Sequence, residues 1–103
     1  MFRLFKKKRI LDPMQDLQNL AIEDLQERWA SFTKSNRYKN GVCLSENIDS
    51  FARPLVDFFK ERYMTLYQFS GSVFWYIVSN AIINSKTHPK FEVDLAIREL
   101  DAK

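Results

Sequence analysis

The chain combines amphipathic stretches with one long stretch that carries no charge. Residues 63–85 read YMTLYQFSGSVFWYIVSNAIINS and include no charged side chain, although 28% of the whole chain is charged. A membrane-spanning helix needs about 20 mostly apolar residues, so the length alone would suffice. Amides and hydroxyls are scattered along the stretch, however, and unpaired polar groups are costly in lipid. The pattern therefore favours a buried helix within a bundle over a membrane span.

A Ser-Gly-Ser sequence at residues 70–72 interrupts this stretch. Gly71 can adopt the left-handed conformation that ends many helices, and Ser72 can cap a new helix. We therefore predict two helices around a turn instead of one long helix. Residues 73–78 (VFWYIV) would also suit a β-strand. Because no other segment alternates apolar and polar residues, such a strand would lack a partner, and a helix is favoured.

Apolar residues at helical spacing predict a first helix that starts after Asp12. Pro13 suits the first helical position, and Gln15 completes a capping box with Asp12. The predicted apolar stripe consists of Met14, Leu17, Leu20, Ala21, Leu25, Trp29 and Phe32. The acidic residues opposite the stripe are Asp16, Glu23, Asp24 and Glu27. We expect these carboxylates to be solvated.

Three further segments show helical patterns. Ser45 is the predicted cap of a short helix that ends near Pro54, where the missing amide proton favours a break and a new start. A last helix is predicted from about Pro89 to Ala102. Its predicted apolar stripe consists of Phe91, Leu95, Ile97 and Leu100.

Length and composition fit one helical domain. The chain has 103 residues but only two glycines and three prolines, so tight turns are few and long helices are favoured. We predict an all-α fold, a small bundle of four to five helices with an aromatic-rich central helix. Residues 12–103 are assigned to this domain. Residues 1–11 are assigned to a separate basic tip, either flexible or forming a first turn.

The basic tip, residues 1–11, carries all its charge with one sign. Its five bases are Arg3, Lys6, Lys7, Lys8 and Arg9, whereas residues 12–103 hold 11 bases and 13 acids. Apolar residues flank these bases, so the tip could lie on an anionic membrane surface. It could also contact nucleic-acid phosphates or an acidic protein partner. A tail that keeps the protein soluble also explains the charges, and so does a first turn folded onto the domain.

The sequence offers little for catalysis or metal binding. Cys43 is the only cysteine and His88 the only histidine, so one nucleophile and base pair is conceivable but a zinc site is not. We expect Cys43 to be a small buried residue and His88 to flank the last helix. No enzymatic activity, cofactor, metal or small-molecule ligand is predicted. The single cysteine, together with the absence of an apolar signal sequence near residue 1, favours a cytoplasmic location.

Fifteen aromatic residues are many for so small a bundle. Aromatic side chains are enriched at the centres of protein interfaces, so self-association would bury a surplus that the interior cannot hold. The predicted interface residues are Trp29, Phe69, Phe74, Trp75 and Tyr76. A second basic patch of Lys34, Arg37 and Lys39 is expected to belong to a solvated loop.

Two functional hypotheses follow from these features. The leading one is a non-enzymatic protein interaction module, homodimeric, that presents an aromatic helical surface to a second copy or to a protein partner. The alternative is a peripheral binder of anionic membranes or nucleic acid that acts through the basic tip. The first depends on which aromatic residues lie outside the core, and the second depends on residues 1–11.

Overall fold

The structure, a computed structural model, describes residues 13–63 and 71–102. Five helices and no strand occur in these two ranges, which confirms the predicted all-α bundle and excludes a strand at residues 73–78. The helices are α1 (Pro13–Thr33), α2 (Leu44–Ala52), α3 (Leu55–Arg62), α4 (Gly71–Ser85) and α5 (Lys90–Asp101). None of these described helices has both the length and the apolar content needed to cross a bilayer.

The core lies between α1 and α4, which form the most extensive helix pair. Helix α5 packs against both α2 and α4, and α2 also contacts α3. The buried residues that α4 contributes are Phe74, Ile77, Val78, Ala81 and Ile82. Those of α1 are Ala21, Leu25, Trp29 and Phe32. Helix α4 is thus the aromatic-rich central helix that the sequence predicts.

Helix α3 ends before the uncharged stretch and α4 begins within it, whereas residues 64–70 lie outside the described ranges, so the end of α3 differs from the predicted break at residues 70–72. Helix α3 ends at Arg62, and Tyr63 leaves the helical conformation with φ −125° and ψ 44°. Gly71, which was expected to end a helix, is instead the first residue of α4. The buried Tyr63 donates its hydroxyl proton to Asp24 on α1. The end of α3 therefore coincides with a tertiary contact that no local signal reveals.

The other helix boundaries are close to the predicted ones. Pro54 separates α2 from α3 as expected, and α5 spans Lys90–Asp101 within the predicted range. The start of α2 needs correction, because the residue before its first turn is Cys43, in an extended conformation, and not Ser45. Ser45 lies inside the first turn, is buried, and contacts Cys43 Sγ through its Oγ at 3.2 Å.

The buried stripe of α1 is narrower than predicted. Leu20 is 58% exposed and lines an open hollow together with Glu23, Arg62 and Tyr63. The core-facing residues of this helix lie on the side covered by α4, and Leu20 lies beyond the edge of that contact. A spacing of three and four residues cannot distinguish the edge of a stripe from its centre.

Replacing Ile82 by alanine is expected to lower the free energy of unfolding by about 2–5 kcal/mol. Ile82 is fully buried in α4, so the truncation leaves a cavity in the core. Leu20→Ala is the matched control, for which the expected change is less than about 0.5 kcal/mol because the side chain is mostly exposed. Urea unfolding followed by circular dichroism measures both values. Equal losses in the two variants would contradict the assigned burial.

Candidate functional site

Trp29, a predicted interface residue, lies in the core and is hydrogen-bonded within the chain. Its side chain is fully buried, and Nε1 donates to Thr87 Oγ1 at 2.9 Å. Thr87 Oγ1 lies 3.0 Å from His88 Nδ1, and His88 Nε2 lies 3.0 Å from the hydroxyl of Tyr38. These bonds connect α1 with the α4–α5 connection and with the loop before α2. The interface prediction for Trp29 is therefore wrong, because its indole is satisfied inside the bundle.

Cys43 and His88 do not form a nucleophile and base pair. Both ring nitrogens of His88 have the partners just described, whereas Cys43 Sγ contacts Ser45 Oγ and lies 3.8 Å from Glu46 Oε2. His88 directly precedes Pro89 and so flanks α5 as predicted. Cys43 is exposed, whereas the sequence predicts that it is buried. The first turn of α2 directs Leu44 and Ser45 inward instead.

Phe74, a second predicted interface residue, also belongs to the core. It is 3% exposed and meets Phe59 and Trp75 edge-on, with ring centroids 5.1 Å and 5.2 Å apart. Trp29 similarly stacks on Phe32 with centroids 5.4 Å apart. The interior thus holds more rings than we expected from the length of the chain, because they pack against one another. The interface prediction for Phe74 is corrected accordingly.

Tyr76 remains exposed on the outer face of α4. Its side chain is 53% exposed, while Trp75 is half-buried and Phe69 lies outside the described residues. Val73, Asn80 and Ile83 are half-buried and lie on the same side of the helix as Tyr76. No residue of α4 is charged, from its first position to its last. A helix face turned to water normally carries charge, so this face is a candidate contact surface.

The apolar stripe predicted for α5 is wrong at two positions. Phe91 is 68% exposed and Leu95 is 55% exposed, whereas Val93, Ala96 and Leu100 are buried. Helix α5 turns the second set inward because it packs between α2 and α4. Phe91 and Leu95, four residues apart, consequently share the outer side of the helix.

A cleft lies between α5 and the start of α2. Its first part, about 280 Å³, is lined by Val42, Cys43, Leu95 and the carboxylates Glu92 and Glu99, among others. A second part of about 220 Å³ shares Ser45 with the first and is also lined by Glu46, Asp49, Arg53, Trp75 and Leu100. We call the two parts together the acidic cleft. Within the described ranges, Asp49 is ion-paired with Arg53, but Glu92 and Glu99 have no ion-pair partner.

The second basic patch lies in the loop between α1 and α2, as predicted, and its three side chains are exposed. Arg37 is held in place, because its guanidinium lies 5.0 Å from the ring centroid of Phe32 and donates to the carbonyl of Ser50. The loop is clamped by Asn47, which is 3% exposed and bonds the backbone N–H and C=O of Lys39 at 2.9 and 2.8 Å. Arg37 and the backbone of Lys39 therefore have structural roles. The basic tip lies outside the described residues.

Asp24, expected to be solvated, is the centre of a polar cluster between α1 and α3. Its two oxygens accept hydrogen bonds from the Tyr63 hydroxyl and from Arg28 Nε, each at 2.9 Å. Arg62 Nε lies 3.9 Å away, and the guanidinium of Arg28 lies 4.2 Å from the centroid of the Phe58 ring. Burial, followed by the hydrogen bond to Asp24, raises the pKa of Tyr63 above its ordinary value. The cluster holds α3 against α1 and leaves the Asp24 oxygens occupied.

The described residues contain no group of three or more His, Cys, Asp or Glu side chains that could hold a metal ion. Comparison with protein-family models, with curated proteins and with solved structures finds no match for this chain. The outer face of α4 and the acidic cleft are therefore the candidate functional surfaces of the described residues.

Tyr63→Phe is expected to lower the free energy of unfolding by about 1–3 kcal/mol near neutral pH, because it removes the hydrogen bond to the Asp24 carboxylate. The raised pKa means that the folded protein holds the phenolic proton more tightly than the unfolded chain. This part of the stability is complete below a pH of about 10 and is lost as the pH rises further. The difference between wild type and variant should therefore shrink in alkaline solution.

Chemical unfolding at several pH values between neutral and strongly alkaline measures this effect. Tyr76→Phe is the control, since its ring is exposed on α4 and its hydroxyl takes no part in the Asp24 cluster. A Tyr63→Phe variant as stable as Tyr76→Phe at neutral pH would show that the bond to Asp24 contributes nothing.

Proposed function

We propose that this chain is a non-enzymatic protein interaction module that forms a homodimer through the outer face of α4. One observation carries the proposal: Tyr76 is 53% exposed on a helix that has no charged residue. Tyrosine is among the residues that contribute most to binding at interface centres. Burying its exposed ring contributes about 25 cal/mol for each Å² of apolar surface removed from water.

A second copy suits this face because a twofold interface brings the same patch of both subunits together. Like charges at such a patch would repel each other, and the outer face of α4 has none. Val73, Asn80 and Ile83 surround Tyr76 with apolar and amide groups, which can pack or exchange hydrogen bonds with their copies. In the proposed dimer the two α4 helices cross near Tyr76.

Helix α4 alone is too small to form a stable dimer. Its 15 residues give a cylinder about 22 Å long and about 10 Å wide, whereas a stable interface buries about 800 Å² on each partner. The main neighbour of α4 is α1, and the side of α1 away from Asp24 and α3 carries Ile22, Gln26 and Ala30. These three residues are half-buried and uncharged. In this proposal they extend the contact surface beside α4.

The absence of enzymatic activity is part of the same proposal. Both nitrogens of His88 are engaged in the hydrogen bonds that hold Trp29 and Tyr38, so His88 serves the fold. Cys43 is exposed and has no disulfide partner within the chain. An exposed free thiol suits a reducing environment, which supports the cytoplasmic location in the proposal.

Tyr76→Glu is expected to weaken self-association by about 30-fold or more, because it buries a carboxylate beside its own copy at the centre of the interface. Leu20→Glu is the matched control. Leu20 is 58% exposed, but it lies on the side of α1 that faces Arg62 and Tyr63, away from the proposed interface. Light scattering during size-exclusion chromatography, at several protein concentrations, gives the mass of each variant. Circular dichroism confirms that each variant is folded.

The expected result is a dimer for the wild type and for Leu20→Glu, and a monomer for Tyr76→Glu. Wild-type protein that stays monomeric at high concentration would refute the homodimer. A dimer that withstands Tyr76→Glu would refute the assignment of α4 as its interface.

A further inference from the structure

We infer that the acidic cleft between α2 and α5 binds the basic tip, residues 1–11 of this chain. The cleft combines carboxylates that lack cationic partners with exposed apolar side chains, and the tip combines five bases with apolar residues. This inference does not depend on the proposed dimer, because the tip can bind the cleft of its own chain or that of a second copy.

The charge of the cleft is unbalanced. Glu92 and Glu99 are exposed about two turns apart on α5, and no described cation pairs with either of them. Glu46 adds a third carboxylate in the first turn of α2, where it offsets the positive end of that helix. The cation that lines the cleft, Arg53, is already bound to Asp49. A cationic ligand would therefore reduce the repulsion among these acids.

The apolar surface of the cleft fits an amphipathic ligand. Among its lining residues, Leu95 is 55% exposed beside the carboxylates and Val42 is 38% exposed at the opposite wall. Phe91 is outside the lining, but it is 68% exposed one turn before Leu95. The second part of the cleft is bordered by the half-buried indole of Trp75. An aromatic face beside carboxylates suits an ammonium or guanidinium group.

The basic tip matches both properties. Phe2, Leu4, Phe5 and Ile10 surround its five bases, and it contains no acid that the cleft would repel. Other ligands fit less well, because a phosphate-bearing ligand would meet Glu92 and Glu99. If the same cleft of a second copy packed here, Glu92 and Glu99 would be repelled by the same carboxylates of that copy. Charge complementarity therefore favours the basic segment of this chain as the occupant.

The tip is also long enough. Twelve residues precede Pro13, and an extended chain covers up to about 3.3–3.6 Å per residue, or about 40 Å in total. Helix α1, with 21 residues, is about 32 Å long. The tip starts at the N-terminal end of α1 and, when extended, is longer than that helix, so it can reach the cleft of its own bundle or that of a second copy.

The position of Cys43 allows a direct test with the full-length chain. Cys43 is the only cysteine, is exposed and lines the cleft, so a nitroxide attached to it marks the cleft alone. In low salt, the amide signals of residues 2–10 should lose most of their intensity when the nitroxide is paramagnetic and regain it after reduction. Salt at about 0.5 M should largely restore them, because it shortens the screening length to a few Å.

Charge reversal provides the matched comparison. Glu92→Lys combined with Glu99→Lys should abolish the broadening of residues 2–10. Glu23→Lys combined with Glu27→Lys makes the same change of charge on exposed residues of α1, outside the cleft, and should leave the broadening intact. Tip signals that are not broadened in the wild type, or broadening that survives the change at Glu92 and Glu99, would overturn the inference.

A label-free measurement guards against interference by the nitroxide. Neutralising the tip with Lys6→Gln, Lys7→Gln and Lys8→Gln should shift the amide signals of residues 92–99 in unmodified protein. If neither experiment detects contact, and anionic vesicles instead change the tip signals, the tip binds a membrane surface and the cleft assignment is wrong.

A mixed sample tells which chain supplies the tip. Isotope-labelled Cys43→Ser protein is mixed with unlabelled protein that carries the nitroxide. Broadening of residues 2–10 in this mixture supports binding to the cleft of a second copy. Broadening that occurs only when the isotope label and the nitroxide are on the same chain supports binding within one chain. Repeating the measurement with Tyr76→Glu, which is expected to be monomeric, shows whether binding of the tip requires the proposed dimer.

Discussion

The packing of α1 along α4 is the contact on which the rest of the structure depends. Fifteen consecutive uncharged residues make α4 unsuitable for exposure on most sides, and α1 covers more of it than any other described helix. The bond from the Trp29 indole to Thr87 sets the position of α1 relative to the end of α4. Helix α3 then joins the pair through Tyr63 and Phe59, and α5 and α2 complete the core.

The way in which the polar groups are satisfied decides which surfaces remain for partners. Asp24 and Trp29 have bonds to residues far away in the chain, and the buried Asn47 bonds to the loop backbone at Lys39, eight residues before it. Two exposed surfaces of the described residues have groups without partners inside the bundle: apolar and aromatic side chains on one, and carboxylates on the other. The outer face of α4 lacks charge and suits a copy of itself, whereas the acidic cleft has carboxylates without partners and suits a basic segment. The two proposed contact surfaces share no residue, so one partner would not block the other.

The fold was predictable to a large extent, and the candidate sites much less so. Pro54 and the segment before Pro89 revealed their helix boundaries because proline acts locally. The end of α3 at Arg62 was missed, because it accompanies the burial of Tyr63 against a residue 39 positions away. Cys43 was misplaced for a similar reason, since its neighbours Val42 and Leu44 are both apolar and only packing selects the one that turns inward.

By itself, the sequence determined that this protein is helical, that part of its uncharged stretch forms the central helix α4, and that its positive charge is concentrated at one end. These properties depend on spacing and composition, which act over a few residues. Only the tertiary structure decided that Trp29 and Phe74 are buried while Tyr76, Phe91 and Leu95 are exposed. All five lie on helices at spacings compatible with a core. Which side of a helix is covered depends on the neighbour that packs there, and that neighbour is distant in sequence.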